Sequence, residues 1–366
     1  MRSPLLFLPL LILLCLLSPT TAFGRRGVGD VNDRVAGGIN NKTPKKQRDG
    51  TCHEVAALLS RGGATADDRI DAAMERLPEH VQDAAVLYQK LRKWNANISR
   101  MPPTELARFQ VFRPDDFKKA KEAQDELDRL YQEHPDLSPD QLHNVCQILI
   151  WDSLAQDHYG AATMLASGKV SLPPAYQTRM DRFCSIVAEA LSSSGSKCLE
   201  VGCGCGSLVP SLLNAGISAS QIYGVDLSPE MIRHAKLLYP DDNGPTFEAV
   251  DFIVDYRKGK TTDGDGDLFE VVIFSSSLHD MPDMDAALQK AVSLLRPGGI
   301  VVIMHPQGAS EVLEQVKSDP VLVKRAMPNA EELRTTLSAM ELLIEPAEPN
   351  SPEEAREGYL AVLKKK

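Results

Sequence analysis

Apolar positions recur at helical spacing through the first half of the chain and gather into short unbroken runs in the second. Over residues 67–94, Ile70, Met74, Leu77, Val81, Ala85, Leu87 and Leu91 fall near a 3.6-residue period and predict a helix. Met101-Pro102-Pro103 interrupts it, and Thr104 starts the next helical stretch. Between 116 and 131 the stripe Phe117, Ala120, Leu127, Leu130 and Tyr131 predicts a further helix, with charges on its other faces. Ser138-Pro139 opens one running through Leu165, and Pro173-Pro174 opens another to Ala190. Residues 51–191 therefore read as an all-helical region.

After Gly195 the period changes. Short apolar strands are expected at 197–203, 221–226, 246–250, 269–275 and 299–305, with helices at 207–214, Pro229–Leu238 and 284–295 between them. A helix at 329–340 follows, then strands at 341–345 and 359–363. That alternation implies an α/β domain over 195–366, with a largely parallel sheet and helices on both faces. The last two strands, with no helix expected between them, would form an antiparallel edge pair.

Composition narrows the class. The 366 residues are 43% hydrophobic and 25% charged with a net charge of −10, as in an ordinary globular protein. Residues 51–366 hold 32 basic against 47 acidic side chains. A body that acidic repels a phosphate backbone, so no nucleic-acid partner is expected. The seven cysteines show no C-x-x-C pair and no zinc spacing, so no metal and no disulfide framework is expected.

The N-terminus reads as an address. Arg2, the apolar run 5–17 and the small residues Thr20-Thr21-Ala22 have the order of a secretory signal, residues 1–22. The run is about 13 residues, short of the ~20 a membrane-spanning helix needs. Ala22-Phe23, followed by the basic, Gly- and Asn-rich stretch to residue 50, resembles the bipartite leaders of plastids of secondary origin. The expected location is therefore such a plastid, with secretion or an endomembrane lumen as the competing address. His134-Pro135-Asp136 is the tripeptide of the co-chaperone J domain, but the preceding Asp125-Glu126-Leu127-Asp128 is acidic where that domain is basic. A proline ending a helix explains it better.

The chemistry concentrates where the first strand turns into a helix, at Glu200-Val201-Gly202-Cys203-Gly204-Cys205-Gly206. Glycines there let the backbone approach a ligand without a Cβ in the way. Asp226 ends the next strand, where an acidic residue suits the two ribose hydroxyls of a nucleoside cofactor. A dinucleotide fold places its third glycine at the position of Ser207 to receive a pyrophosphate on the helix N-terminus. Here Glu200 stands two places before the first glycine. A carboxylate at that position suits a cationic amino-acid moiety and repels a pyrophosphate, which points to S-adenosylmethionine rather than NAD.

With these motifs the chain resembles the class I S-adenosylmethionine-dependent methyltransferases of the type 11/25 kind, over about 197–363. The resemblance implies a Rossmann-like seven-stranded sheet and assigns cofactor contacts to Glu200, Gly202, Gly204, Gly206, Asp226, Leu227, Asp251, Phe252 and Ser275. Asp251 takes the adenine position, with Asp255 as its rival. Ser275-Ser276-Ser277-Leu278-His279-Asp280-Met281-Pro282 resembles the segment after strand 4 at the substrate mouth, and Leu295-Arg296-Pro297-Gly298-Gly299 the turn before strand 5. A softer resemblance, through His305-Pro306-Gln307-Gly308, Asp319-Pro320 and Met327-Pro328, is to chloroplast-directed methyltransferases of plants and algae.

The expected function is methyl transfer to a small-molecule acceptor, with the helical region covering the mouth. His279 and Asp280 are the catalytic candidates where the acceptor must lose a proton; His279 is expected to be partly exposed, and His305 more simply ends strand 5. Cys203 and Cys205 are expected to pack beneath the loop. The alternatives are a cofactor-binding pseudoenzyme or assembly factor working through a protein partner, and NAD-dependent oxidoreduction.

Overall fold

The computed structural model describes residues 74–75, 77–99, 101–135, 137–191, 195–256, 268–318 and 323–366. The signal and leader readings, Cys15, Cys52 and Asp319-Pro320 lie outside the described residues, as does the stretch 67–73 of the first expected helix.

Among the described residues the chain begins with α1 (Glu79–Ser99), α2 (Pro103–Phe112), α3 (Pro114–Glu133), α4 (Pro139–Ala166) and α5 (Pro174–Ala190). Their starts are set by local chemistry. Pro at the first helical position loses no hydrogen bond there. At α4, Ser138 Oγ accepts from the Gln141 N–H at 3.2 Å while the Gln141 side chain accepts from the Ser138 N–H at 2.8 Å, a reciprocal cap. His134 closes α3, its backbone N–H bonded to the Leu130 carbonyl at 2.9 Å, so the tripeptide at 134–136 begins as a helix stop. Helices α1, α3 and α4 share a cluster of Ala84, Ala85, Tyr88, Leu127, Leu130 and Leu142.

The α/β part follows as β1 (Cys198–Val201), α6 (Val209–Asn214), β2 (Ile222–Asp226), α7 (Pro229–Leu238), β3 (Thr246–Ala249), β4 (Phe269–Ser275), α8 (Met284–Ser293), β5 (Leu295–His305), α9 (Ala309–Ser318), α10 (Ala330–Thr336), β6 (Met340–Ile344), α11 (Pro352–Glu357) and β7 (Tyr359–Lys365). The seven strands are ordered β3-β2-β1-β4-β5-β7-β6. All neighbours up to β5 are parallel, and β7 runs antiparallel to both β5 and β6. The order reverses beside β1, which pairs with β2 on one side and β4 on the other. The crevice outside the strand ends at such a switch point is where open α/β sheets bind ligands.

Alternation along the strands divides the core between two faces. Leu199, Val201, Phe274 and Val301 join one cluster, with Met284 and Leu288 of α8. Cys198, Val271, Ile273 and Val302 join the other, with Phe183, Cys184 and Val187 of α5. Thus α5, although it precedes the sheet with the other helices, packs directly on it.

Two expectations need correction. The last strands do pair antiparallel at one end of the sheet, β6 at the edge and β7 between it and β5, but α11 intervenes where no helix was expected. Tyr359 to Leu363 are buried without alternation because β7 is covered on both faces. Strand β5 also starts earlier than Gly299, since Leu295 pairs with Phe269 before the chain bulges out and returns with Ile300 opposite Val271. Pro297, which has no N–H to give the ladder, and Gly298, at φ 78°, form that bulge. Helix α9 was not anticipated.

Cys146, Cys184, Cys198, Cys203 and Cys205 are free and buried. No helix among the described residues is long and apolar enough to cross a membrane.

Candidate functional site

At the carboxyl ends of β1, β2 and β4 the structure encloses a cavity of ≈ 490 Å³, within the roughly 300–1,000 Å³ of small-molecule sites. Glu200, Gly202, Gly204, Asp226, Leu227, Asp251, Phe252, Ser275, His279 and Asp280 all line it. Gly206 is not among the lining residues. It sits beneath the loop, where an added Cβ would meet the Tyr239 ring at 3.0 Å. Asp255, the rival to Asp251, does not line the cavity either.

The loop after β1 is held tightly. The N–H groups of Gly202 and Cys203 both bond to the Val225 carbonyl, at 2.8 and 3.1 Å. Gly202 has φ 75°, and a Cβ there would stand 2.4 Å from that of Ser277; only glycine lets the strand-4 turn close on the loop. Gly204, at φ 53°, has nothing within 4 Å of where a Cβ would be, so its backbone is open to a ligand. Ser277 Oγ donates to the Val201 carbonyl, and its neighbour Ser276 sits at φ 55°, backbone strain of the kind that gathers at binding sites.

Asp226 works in two directions. Its carboxylate accepts from the N–H groups of Gly204 and Ser228, each at 2.8 Å, fixing both glycine loop and α7 entry. A carboxylate accepts about four hydrogen bonds, which leaves capacity for a ligand. Ser228 is the N-cap of α7, accepting from the Met231 N–H at 3.1 Å. Asp226 is thereby freed from the capping role. Burial raises its pKa to about 6 against the lowering effect of those two N–H donors.

Glu200 is buried, and its Oε2 has no hydrogen-bond partner among the described residues. Burial, and secondarily the charge of Asp226, hold its carboxyl well above the usual range. A buried acceptor left unpaired at the strand end is the kind of group that a cationic ligand satisfies. The open glycine backbone, Asp226 and Glu200 together fit an aminoacyl nucleoside carrying a positive charge.

The sequence reading missed the wall that α4 contributes. Asn144, Gln147, Trp151 and His158 all line the cavity. Asn144 Nδ2 donates to Asp251 Oδ2 at 2.6 Å, while Asp251 Oδ1 accepts from the N–H groups of Ile253 and Val254. Gln147 links the Trp151 indole N–H, at 2.9 Å, to the Asp280 carbonyl, at 3.3 Å. Asp152 accepts from Ser228 Oγ and from the Glu230 N–H. Asn144, Gln147 and Trp151 stand at i, i+3 and i+7 on one face, a weak signal in a helix that also carries Gln141, Asp152, Gln156 and Asp157.

At the far end of the cavity, His279 and His305 are both buried, 3% and 2% exposed, with ring centroids 5.1 Å apart. The expectation of a partly exposed His279 is therefore overturned: Leu278 to Asp280 form a turn tucked under the mouth. Burial lowers the pKa of His279 to about 4 and that of His305 to about 3, so both are neutral. The Asp280 carboxylate lies 3.6 Å from His279 Nε2, beyond hydrogen-bond length, and burial raises its pKa to about 7. Cys203 and Cys205 are buried under the loop, with Cys205 Sγ 3.3 Å from Met231 Sδ.

Comparison with known proteins agrees with this geometry. Residues 199–301, from β1 into β5, match the methyltransferase domain family. Over those residues the chain is similar to that family. Among curated relatives, the ubiquinone biosynthesis O-methyltransferase of Xanthomonas axonopodis pv. citri is 32% identical over 116 residues, 31% of this chain and 44% of that protein. That of Pectobacterium atrosepticum is 28% identical over 151 residues, 38% of this chain and 59% of that protein. The highly reducing polyketide synthase PKS6 of Gibberella zeae is 33% identical over 121 residues, 30% of this chain and 4% of that protein. The chain thus spans well under two thirds of each of these relatives. Among solved structures, the N-methyltransferase NodS of Bradyrhizobium japonicum WM9 aligns with 54% of this chain and 99% of its own at 16% identity and a TM-score of 0.40. The CurJ carbon methyltransferase aligns with 66% and 71% at 16% identity and a TM-score of 0.41. Helices α1–α5 all lie outside the residues that the family matches.

Proposed function

We propose that the chain binds S-adenosylmethionine in this cavity and transfers its methyl group to a small molecule. The observation that carries the reading is the buried Glu200 carboxyl, its Oε2 unpartnered among the described residues, beside Asp226, one strand end apart on the same cavity. When bound, the cofactor supplies an electrophilic methyl on a sulfonium. The residues of the chain orient it: Glu200 takes the ammonium side, Asp226 the ribose hydroxyls, Asp251 with Asn144 the adenine edge. Closure by α4 keeps water from the reacting end.

The raised carboxyls give this reading a pH signature. In the free protein Asp226, near 6, and Asp280, near 7, are partly protonated in mild acid, and Glu200 titrates high for the same reason. A cationic ligand with hydroxyl donors favours their ionised forms. Binding of S-adenosylmethionine should therefore tighten as pH rises from 5 to 8 and release protons near pH 6. Titration calorimetry in buffers of different ionisation enthalpy measures both, and an affinity flat across that range would refute the assignment.

The location is part of the proposal. Residues 1–22 serve as a secretory signal and 23–50 as a plastid-directing extension, a reading supported by the aromatic Phe23 and the basic character that follows. A fluorescent fusion of residues 1–50 should reach a plastid; fluorescence solely in the medium would leave secretion in its place.

A further inference from the structure

The acceptor end of the cavity has a chemistry of its own. The cavity's charged lining residues are Glu200, Asp226 and Asp251, which face the cofactor, and Asp280 beside His279; no lysine or arginine lines it among the described residues. Three buried polar atoms there have no hydrogen-bond partner among the described residues: Nδ1 of His279, Nδ1 of His305 and Oε1 of Gln315. All three side chains are 2–3% exposed and all line the cavity. Leu165, Val170, Leu172 and Met180, from the end of α4, the following loop and α5, add apolar wall to the same cavity.

Anionic acceptors do not fit. A carboxylate or phosphate placed here would meet the Asp280 carboxyl and no lysine or arginine to pair with, at an effective dielectric where such repulsion is strong. Amines fit poorly for the opposite reason. An aliphatic amine arrives as an ammonium, and the Asp280 carboxyl beside it raises its pKa, which ties up the lone pair that methyl transfer needs. A hydroxyl meets both conditions, being neutral, able to donate its one proton to an acceptor that otherwise stays unpaired and able to accept from an imidazole in its Nδ1–H tautomer. Leaving such acceptors unpaired is what makes a buried polar site discriminate against molecules lacking the matching donor.

Resting on the methyltransferase reading above, we propose that the acceptor is an electrically neutral, mostly apolar molecule methylated at a hydroxyl oxygen, and that His279, His305 and Gln315 receive that hydroxyl. The oxygen lone pair forms the new bond to the methyl carbon as the carbon–sulfur bond breaks, and that electron pair stays on sulfur, turning the sulfonium into a neutral thioether. The hydroxyl proton passes to an unpartnered imidazole nitrogen and from there to solvent. The acidic surroundings disfavour prior formation of an alkoxide or phenolate, so the proton leaves while the oxygen–carbon bond forms.

The test uses the full chain in two steps. S-adenosylhomocysteine is first titrated by calorimetry, which decides the cofactor reading alone. Protein saturated with it is then screened by ligand-observed NMR against matched series on the same apolar skeletons, bearing a hydroxyl, an amine, a carboxylate or a phosphate. Binders should come from the hydroxyl series, and their methyl ethers should form with S-adenosylmethionine. Gln315→Leu and His305→Phe should each weaken hydroxyl binding at least tenfold, with S-adenosylhomocysteine affinity retained as the check on folding. Binders confined to the charged series, an empty hydroxyl series, or undiminished hydroxyl binding in both variants would overturn the proposal, even with the cofactor bound.

Discussion

Replacing Asp226 with alanine is expected to weaken S-adenosylmethionine binding at least tenfold. Hydrogen bonds to a charged group contribute about 1.5–3 kcal/mol each, and a tenfold change in affinity is about 1.4 kcal/mol. The loss has two sources, because the carboxylate faces the cavity and also holds the N–H groups of Gly204 and Ser228. Asp226→Asn separates them. One amide oxygen keeps an acceptor for the loop, while the negative charge and one acceptor position are gone. A folded Asp226→Asn protein should therefore bind more weakly than the parent and more tightly than Asp226→Ala. Unchanged affinity in Asp226→Ala, measured by calorimetry at pH 8 where the parent carboxyl is ionised, would sink the ribose assignment. At pH 5 the parent itself should lose affinity, since its carboxyl, near 6, is then mostly protonated. The difference between parent and variant should shrink accordingly.

What the sequence made legible was local. Glu200, Gly202, Gly204 and Asp226 are each placed by the strand they end and by the turn that follows, so spacing alone brings them to one crevice. The succession of strands and helices from β1 to β5 along the chain was readable for the same reason, since each strand–helix unit signals its period and its cap. Asn144 was not readable. It reaches Asp251 across 107 residues, and nothing near it in sequence marks a contact that exists only once α4 lies against α7. Gln315 was hidden similarly, on a helix that was itself missed. The placement of β7 was in principle readable, because Tyr359-Leu360-Ala361-Val362-Leu363 lacks the alternation of an edge strand.

A chain beginning at Gly195 should not fold. Phe183, Val187 and Leu191 are 0%, 0% and 6% exposed and pack with Cys198, Val271 and Val302 across one face of the sheet. Removing α5 exposes that face. Burial of such side chains contributes roughly 1.5–3 kcal/mol each, so losing three approaches the whole stability of a typical domain, about 5–15 kcal/mol. A chain beginning at Pro174 keeps α5 and should stay folded, as followed by a cooperative thermal transition. What it lacks is α4, with Asn144 on Asp251, Asp152 on Ser228 and Gln147 on the Asp280 carbonyl. These three contacts reach the loops after β3, β2 and β4 respectively, the same loops that carry the cofactor-facing carboxylates. The shorter chain should therefore bind S-adenosylmethionine at least tenfold more weakly, and Asn144→Ala in the full chain should lose part of that affinity without loss of fold. Cofactor affinity equal to that of the full chain in the Pro174 truncation would show that α4 covers the acceptor end alone.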